Sequence, residues 1–548
     1  MRRKRWQLVL GATLVLVVAF IVVAALRGND DEPVSTGDAA SAETEESPQG
    51  ERLVQATANP PITADPGSMK DITGRLIDNA VYQTLLGFTG EDVAKPEPIL
   101  AESYEMSPDN KRMTLKLRSG MRFSDGSPVT LDDVLFSLKR VKYLLGQPAY
   151  LLTDVDISSS GEDTVVLESD KAVPELPFYL TEPSLGIVNS KVVKANGGLD
   201  TEDAAKKDKA QKFLDKESAG SGPFVLKTFS TTGDTILTAN PEYAGPGPKP
   251  GYREIVIRIV PSESQRIEVQ RGTTDIALDL SSRQAEPLAK SLNVEHHPAG
   301  ATWFLLLNNG TKISKVSSNP DFQAAVRYAI DYDKLLKLGG AGTERMTSIT
   351  PQNFSYSLPP ESAQKYDPEE AKRLLASSGI DNPSVTFEYP DPLSFNGIGL
   401  GTIAASIQTD LEAVGIKAKL KPTPVSVAVT NYRAGTEEFA LWVYSLSPPD
   451  PISGIVRQFQ PGGIYALRAN WKDGASPEVT EAADQVFTSA SEEERTAAFE
   501  RFYTAMNSES PFVPLFSSAQ TIVFSKNVSG VVFNVQWTLD LAALRPAS

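Results

Sequence analysis

Two histidines stand side by side in "NVEHHPAG", at positions 296 and 297, and they are the only two in the 548 residues. There is no cysteine at all. Together these facts remove thiolate and multi-histidine metal sites, disulfides, cysteine nucleophiles and a lipid-modified cysteine. His297 precedes Pro298, which pushes it toward extended geometry. A surface loop is expected there, with ligand contact by His297 as the alternative. The sequence contains no Gly-x-Ser-x-Gly elbow, no His-Glu-x-x-His and no Gly-x-x-x-x-Gly-Lys-Ser/Thr phosphate loop. Asp132 and Asp133 are paired carboxylates, but neighbours on a helix point apart, and behind Thr130 they suit a helix cap better than acid–base chemistry. The residue types point away from an enzyme, and no cofactor or metal is expected.

What remains is recognition. "FALWVYSLSPPDP" (439–451) reads as an apolar strand carrying Trp442 and Tyr444 that runs into Pro449, Asp450 and Pro451. Binding pockets are mostly apolar with a few orienting polar groups, and indole and phenol rings supply both. The same rings on strands also serve as core. Asp450 reads as an acid that fixes the loop.

Elements on either side must position such a wall. "RLVQATAN" alternates like a strand, and "DITGRLIDNAVYQTLLGF" places Ile72, Leu76, Ile77, Ala80, Val81 and Leu85 at helical spacing behind a capping Asp71. Asn79, Tyr82 and Gln83 lie off that stripe, as a solvated face would. "MTLKLR" is a period-2 strand, "SDGSP" a tight turn, and Thr130 opens a helix that buries Val134, Leu135 and Leu138. The Gly-, Pro- and charge-rich stretches "GEDVAKPEP", "KESAGSG" and "EHHPAGA" read as loops between larger units.

Composition sets the outer bounds. With 41% hydrophobic and 22% charged residues the chain is an ordinary folded one of several domains, and a formal charge of −16 argues against nucleic acid. "MRRKRW" precedes an apolar run over residues 7–26. A cleavable signal has an apolar region of roughly 7–15 residues and a spanning helix needs about 20, so an uncleaved anchor is expected, with the rest outside. Cleavage after Ala25, giving a secreted protein, is the alternative. Residues 28–52 are acidic and poor in apolar groups, as a disordered tether is.

The string "LAESYEMSPDNKRMTLKLRSGMRFSDGSPVTLDDVLFSLKRV" (100–141) closely resembles the signature of the family 5 solute-binding proteins of ABC importers, which include oligopeptide-, dipeptide- and nickel-binding proteins. "GSGPFVLKTFSTTGDTILTANPEYAG" (220–245), "PSESQRIEVQRGTTDIAL" (261–278), "WFLLLNNG" with "NPDFQAAVRYAIDYDKLL" (303–336), "YDPEEAKRLLASSGI" (366–380) and "IQTDLEAVGIKAKLK" (407–421) continue the resemblance in order. It covers about Leu53 to Val535.

The resemblance implies an α/β fold of the two-lobed periplasmic-binding-protein type (class II), with an extra subdomain in the first lobe. Mapped onto this chain, residues 1–27 are the signal or anchor segment and 53–90, 215–298 and 495–548 form lobe I. Residues 91–214 are its subdomain and 299–494 form lobe II. The implied function is capture of a peptide or peptide-like solute between the lobes and delivery to an ABC permease driven by ATPase subunits, by a monomer at the outer face of the cytoplasmic membrane. A membrane-anchored receptor or envelope regulator on the same scaffold, with a glycoside or glycolipid ligand, is the alternative. The family's cleft maps to Met69, Lys70, Asp71, Tyr150, Trp303, Phe304, Val425, Trp442, Tyr444, Ser447 and Asp450.

One departure bears on the ligand. In the family's peptide binders an acid in the loop after the counterpart of Phe439 receives the peptide's ammonium group. Here Ser447 stands nearest that place, and Pro449 and Pro451 are expected to keep Asp450 from turning inward. A ligand held by aromatic and neutral polar contacts, such as a blocked peptide or glycoside, is then expected ahead of a plain oligopeptide.

Overall fold

The computed structural model describes residues 50–69, 71–445, 448–489 and 491–547. The expected anchor and most of the expected tether lie outside them, as do Lys70 and Ser447. Among the described residues no helix is long and apolar enough to cross a membrane.

One 11-stranded sheet runs through both lobes. Two long strands at its centre, Asn293–Leu307 and Phe512–Phe524, pair antiparallel along most of their length and belong to both halves. Their outer ends, Asn293 to Pro298 against Phe524 to Ala519, join Ile276–Ala277, Arg52–Thr57, Glu254–Ile259, Thr235–Ala239 and Phe224–Thr228 in the first lobe. Their inner ends, Ala301 to Leu306 against Ser518 to Phe512, join Phe439–Ser445, Ser384–Asp391 and Lys417–Pro424 in the second. The register breaks between Pro298 and Ala301, where Pro298 has no amide hydrogen to give and Gly300 takes φ +64°. The crossing therefore occurs at "EHHPAGA", and His296 and His297 lie inside a strand instead of the expected surface loop. Ladder bonds to a partner more than 200 residues away outweigh the local Gly and Pro signal.

The subdomain is a four-stranded antiparallel sheet, Ala101–Met106, Arg112–Leu117, Thr164–Glu168 and Asp156–Ser160, under helix Leu131–Leu144. That helix starts as its sequence dictates, with Thr130 and Asp133 exchanging a capping box. Asp133 does more than cap, because its other oxygen accepts from Ser190 N and Oγ and ties the helix to the next segment. Arg140 on the same helix is buried between Asp65 and Asp208, at 2.7 Å and 2.8 Å, and so pins the loop before helix Ile72–Val81 to the subdomain. Asp71 caps that helix through Gly74 N. Ile72 leaves the expected stripe and is 43% exposed, while Leu76, Ile77, Ala80, Val81 and Leu85 are buried.

In the second lobe, alternation along Phe439–Ser445 sends Phe439 and Leu441 into one cluster, with Trp303, Leu305 and Leu307, and Ala440 and Trp442 into the other, with Phe304 and Phe459. Helix Glu492–Glu509 contributes Phe499, Phe502, Tyr503 and Met506 to that second cluster, beside Val479 and Ala482. The expected lobe boundary at 494/495 would assign this helix to the first lobe, yet its buried face packs with second-lobe residues.

Candidate ligand-binding cleft

The second-lobe wall is built on helix Val425–Ala434 and strand Phe439–Ser445. Trp442 stacks on Tyr432 at 4.4 Å, and the Arg468 guanidinium sits 4.5 Å from both the Tyr432 and Tyr465 rings. Tyr465 in turn stacks on Phe459 at 4.8 Å and lies 5.0 Å from Tyr444. The loop beyond the strand then places Asp450, 1% exposed, where its oxygens accept from Ile452 N (3.1 Å) and Ser453 N (2.8 Å) at a helical turn. Both Asp450 oxygens thus fix the loop, as its sequence suggests, and the carboxylate is held inside the protein and not in solvent. Pro451 stands as N-cap of that turn.

Across from this wall stands the subdomain. Glu175, 1% exposed, is N-cap of the short helix Leu176–Tyr179, and the Tyr179 hydroxyl donates to its Oε1 at 3.1 Å. Arg457 of the second lobe donates Nε to the same oxygen at 2.5 Å. The other oxygen, Oε2, is buried with no hydrogen-bond partner. Tyr150 is half-exposed as a residue although protein surrounds its hydroxyl, and Arg75 and Glu182 lie 3.9 Å from each other.

Electrostatics tie the two walls together. Burial first, then the neighbouring Glu175 carboxylate, push Asp450 up to about 6. Burial followed by Tyr465 and Tyr150 holds the Tyr444 phenol well above its ordinary value. Tyr150 is raised by burial and by Glu182, against a lowering by Arg75, and feels Asp450 and Tyr465 as well. Tyr179 is raised by burial, then by Glu175 and Asp450. The structure thus brings together three of the sequence-derived candidates, Tyr150, Tyr444 and Asp450.

The other candidates are placed differently. Trp303 is fully buried in the second-lobe core, stacked on Phe516 at 5.0 Å with Nε1 donating to Ser518 Oγ at 3.1 Å. Adjacent strand residues face opposite sides, so Phe304 shares the Trp442 side, buried edge-on against Phe459 and Phe512. Trp442 Nε1 donates to Glu437 Oε2 at 2.8 Å. Met69 is buried, Asp71 is the cap already described, and Val425 is half-buried at its helix start. Glu175, Tyr179, Arg457 and Tyr465 were not read from sequence. A lone arginine in the apolar run "PISGIVRQF" is the one signal that could have raised the question.

Two carboxylates and one guanidinium converge among phenols, an arrangement that suits a ligand carrying hydrogen-bond donors or a cationic group. Among the described residues no group of three or more His, Cys, Asp or Glu is placed to hold a metal ion.

A sequence model of the bacterial extracellular solute-binding proteins, family 5 (middle region), matches residues 95–466. The chain belongs to this family. Among curated relatives of the family, a probable D,D-dipeptide-binding periplasmic protein of Escherichia coli is 28% identical over 496 residues, spanning 88% of this chain and 91% of that protein. Solved structures of similar fold include an ABC transporter substrate-binding protein from Listeria monocytogenes, with TM-score 0.77 and 18% identity over 91% of this chain and 100% of that one. A periplasmic binding protein from Helicobacter pylori in complex with the peptide STSA has TM-score 0.70 and 21% identity over 91% and 98%. The two-lobed fold is shared, and a solute-binding protein of this family works outside the cytoplasm.

Proposed function

We propose that this family 5 protein captures a short peptide with a free ammonium group between its lobes and hands it to an ABC permease. The observation that carries the reading is the pairing of Asp450 with Glu175. Both carboxylates are buried and Glu175 acts electrostatically on Asp450, while among the described residues Arg457 is the guanidinium that pairs with Glu175. When both ionise, one negative charge is left for a ligand cation, and a charge-assisted hydrogen bond there is among the stronger polar contacts. The name of the Escherichia coli relative, a probable D,D-dipeptide-binding protein, supports the peptide class.

This reading replaces the blocked peptide or glycoside expected from sequence, because its premise was the absence of an inward acid. Chemistry at the site is binding alone. Residues 7–26 serve as the membrane anchor, and the protein acts as a monomer at the outer face. The test is uptake of a labelled dipeptide mixture by cells with and without the gene. Loss of uptake on deletion, restored by the wild-type gene, supports delivery. Binding in vitro with unchanged uptake would favour an anchored receptor that moves no solute.

A further inference from the structure

Glu175 of the subdomain and Arg457 of the second lobe are 282 residues apart and meet at 2.5 Å. Among the described residues theirs is the ion pair that joins the subdomain to the second lobe. Arg457 reaches across from its own lobe with its guanidinium 4.3 Å from the Phe487 ring, so its approach is set by stacking. Its Nε meets Glu175 Oε1 at 2.5 Å and its Nη2 meets Ala172 O at 3.4 Å. The pair is unequal. Arg457 is 37% exposed while Glu175 is 1% exposed, and Glu175 Oε2 has no donor.

A buried ion pair roughly breaks even between desolvation and attraction, and an unsatisfied buried carboxylate oxygen tips the balance against closure. Opening the lobes returns Glu175 to water. Closed and open forms without ligand are then close in free energy, and a small contribution decides between them. A donor delivered to Oε2 from inside the cleft is such a contribution, since it acts only in the closed form.

We propose that Arg457, by offsetting the buried charge of Glu175, holds the empty lobes poised near closure, and that a ligand N–H completes this cross-lobe clasp at the free oxygen of Glu175. Arg457 is a positioning residue, acting through Glu175. Glu175 becomes a specificity-determining acid contributed by the first lobe, facing the second-lobe Asp450. The second half of the proposal rests on the peptide reading above, and the first half does not.

Small-angle scattering of the full chain without ligand tests the clasp. Arg457→Met is expected to enlarge the radius of gyration relative to wild type, and Arg457→Lys, which keeps a cation, to restore the compact value. A radius unchanged in Arg457→Met, with normal thermal melting, overturns the clasp. If Arg457→Met fails to fold, Arg457→Gln, which removes the charge but keeps a polar side chain, takes its place with the same expected opening. Calorimetry with a mixed di- to pentapeptide library tests the ligand half. Glu175→Gln is expected to weaken the free-amine peptides at least tenfold while leaving the N-acetylated peptides within twofold. An equal loss for both sets overturns the assignment of Glu175. No binding of any peptide to wild type overturns the ligand half together with the proposed function, and scattering still decides the clasp.

Discussion

Glu437 offers the sharpest test of the second-lobe wall. It is 1% exposed, accepts from Trp442 Nε1 through one oxygen at 2.8 Å, and leaves the other without a partner. Burial is the main cause that pushes its carboxyl from the ordinary 4.5 up to about 8, with Glu388 adding to it and the Trp442 hydrogen bond and Lys421 opposing. Between those two values the folded protein keeps a proton that the unfolded chain has released. Stability therefore falls as pH rises through this window and is flat above about 8. Taken whole, the gap between 4.5 and about 8 corresponds to roughly 5 kcal/mol. Glu437→Gln keeps an oxygen for the Trp442 N–H and removes the titration. Denaturant unfolding at pH 5, 6.5 and 8, followed by tryptophan fluorescence, is expected to show the variant gaining on wild type from near zero at pH 5 to several kcal/mol at pH 8. Parallel stability profiles for the two proteins would refute the buried-acid argument and with it the account of how Trp442 is fixed against Tyr432.

Two further outcomes follow from the cleft and the first lobe. Asp450, at about 6, is ionised at pH 7.5 and protonated at pH 5, so free-amine peptides should bind several-fold more weakly at pH 5 by calorimetry while N-acetylated ones change little. An equal change in both would remove Asp450 from the charge balance. Arg140→Met leaves Asp65 and Asp208 buried without their cation, a loss expected to be about 3–5 kcal/mol, and should appear as a melting temperature several degrees lower. An unchanged melting curve would contradict the role given to that triad.

The local grammar of the fold was open to reading. Asp71 and Thr130 cap where residue type and spacing place them, and the alternation of Phe439–Ser445 divides its side chains between two cores. Tyr444 and Asp450 were raised by the strand and loop that carry them, and Tyr150 only by resemblance to a known family, since a phenol in a short helical turn carries no local mark of function. What failed to show is non-local. His296 and His297 sit in a strand because Thr521 and Gln520 pair with them from the far end of the chain. Helix Glu492–Glu509 packs with the second lobe through Phe499 and Phe502, a docking that no break in composition announces. Glu175 and Arg457 meet only when the cleft is assembled, so neither stretch of sequence states the pairing.

The most direct test of the account is calorimetry of the full chain against a mixed di- to pentapeptide library and its N-acetylated counterpart at pH 7.5. A site with two buried carboxylates and the Arg457 guanidinium predicts that free-amine peptides bind and that acetylation weakens them at least tenfold, about 1.4 kcal/mol or more. Equal or tighter binding of the acetylated peptides would contradict it, and would return the site to a ligand held by its aromatic and neutral groups.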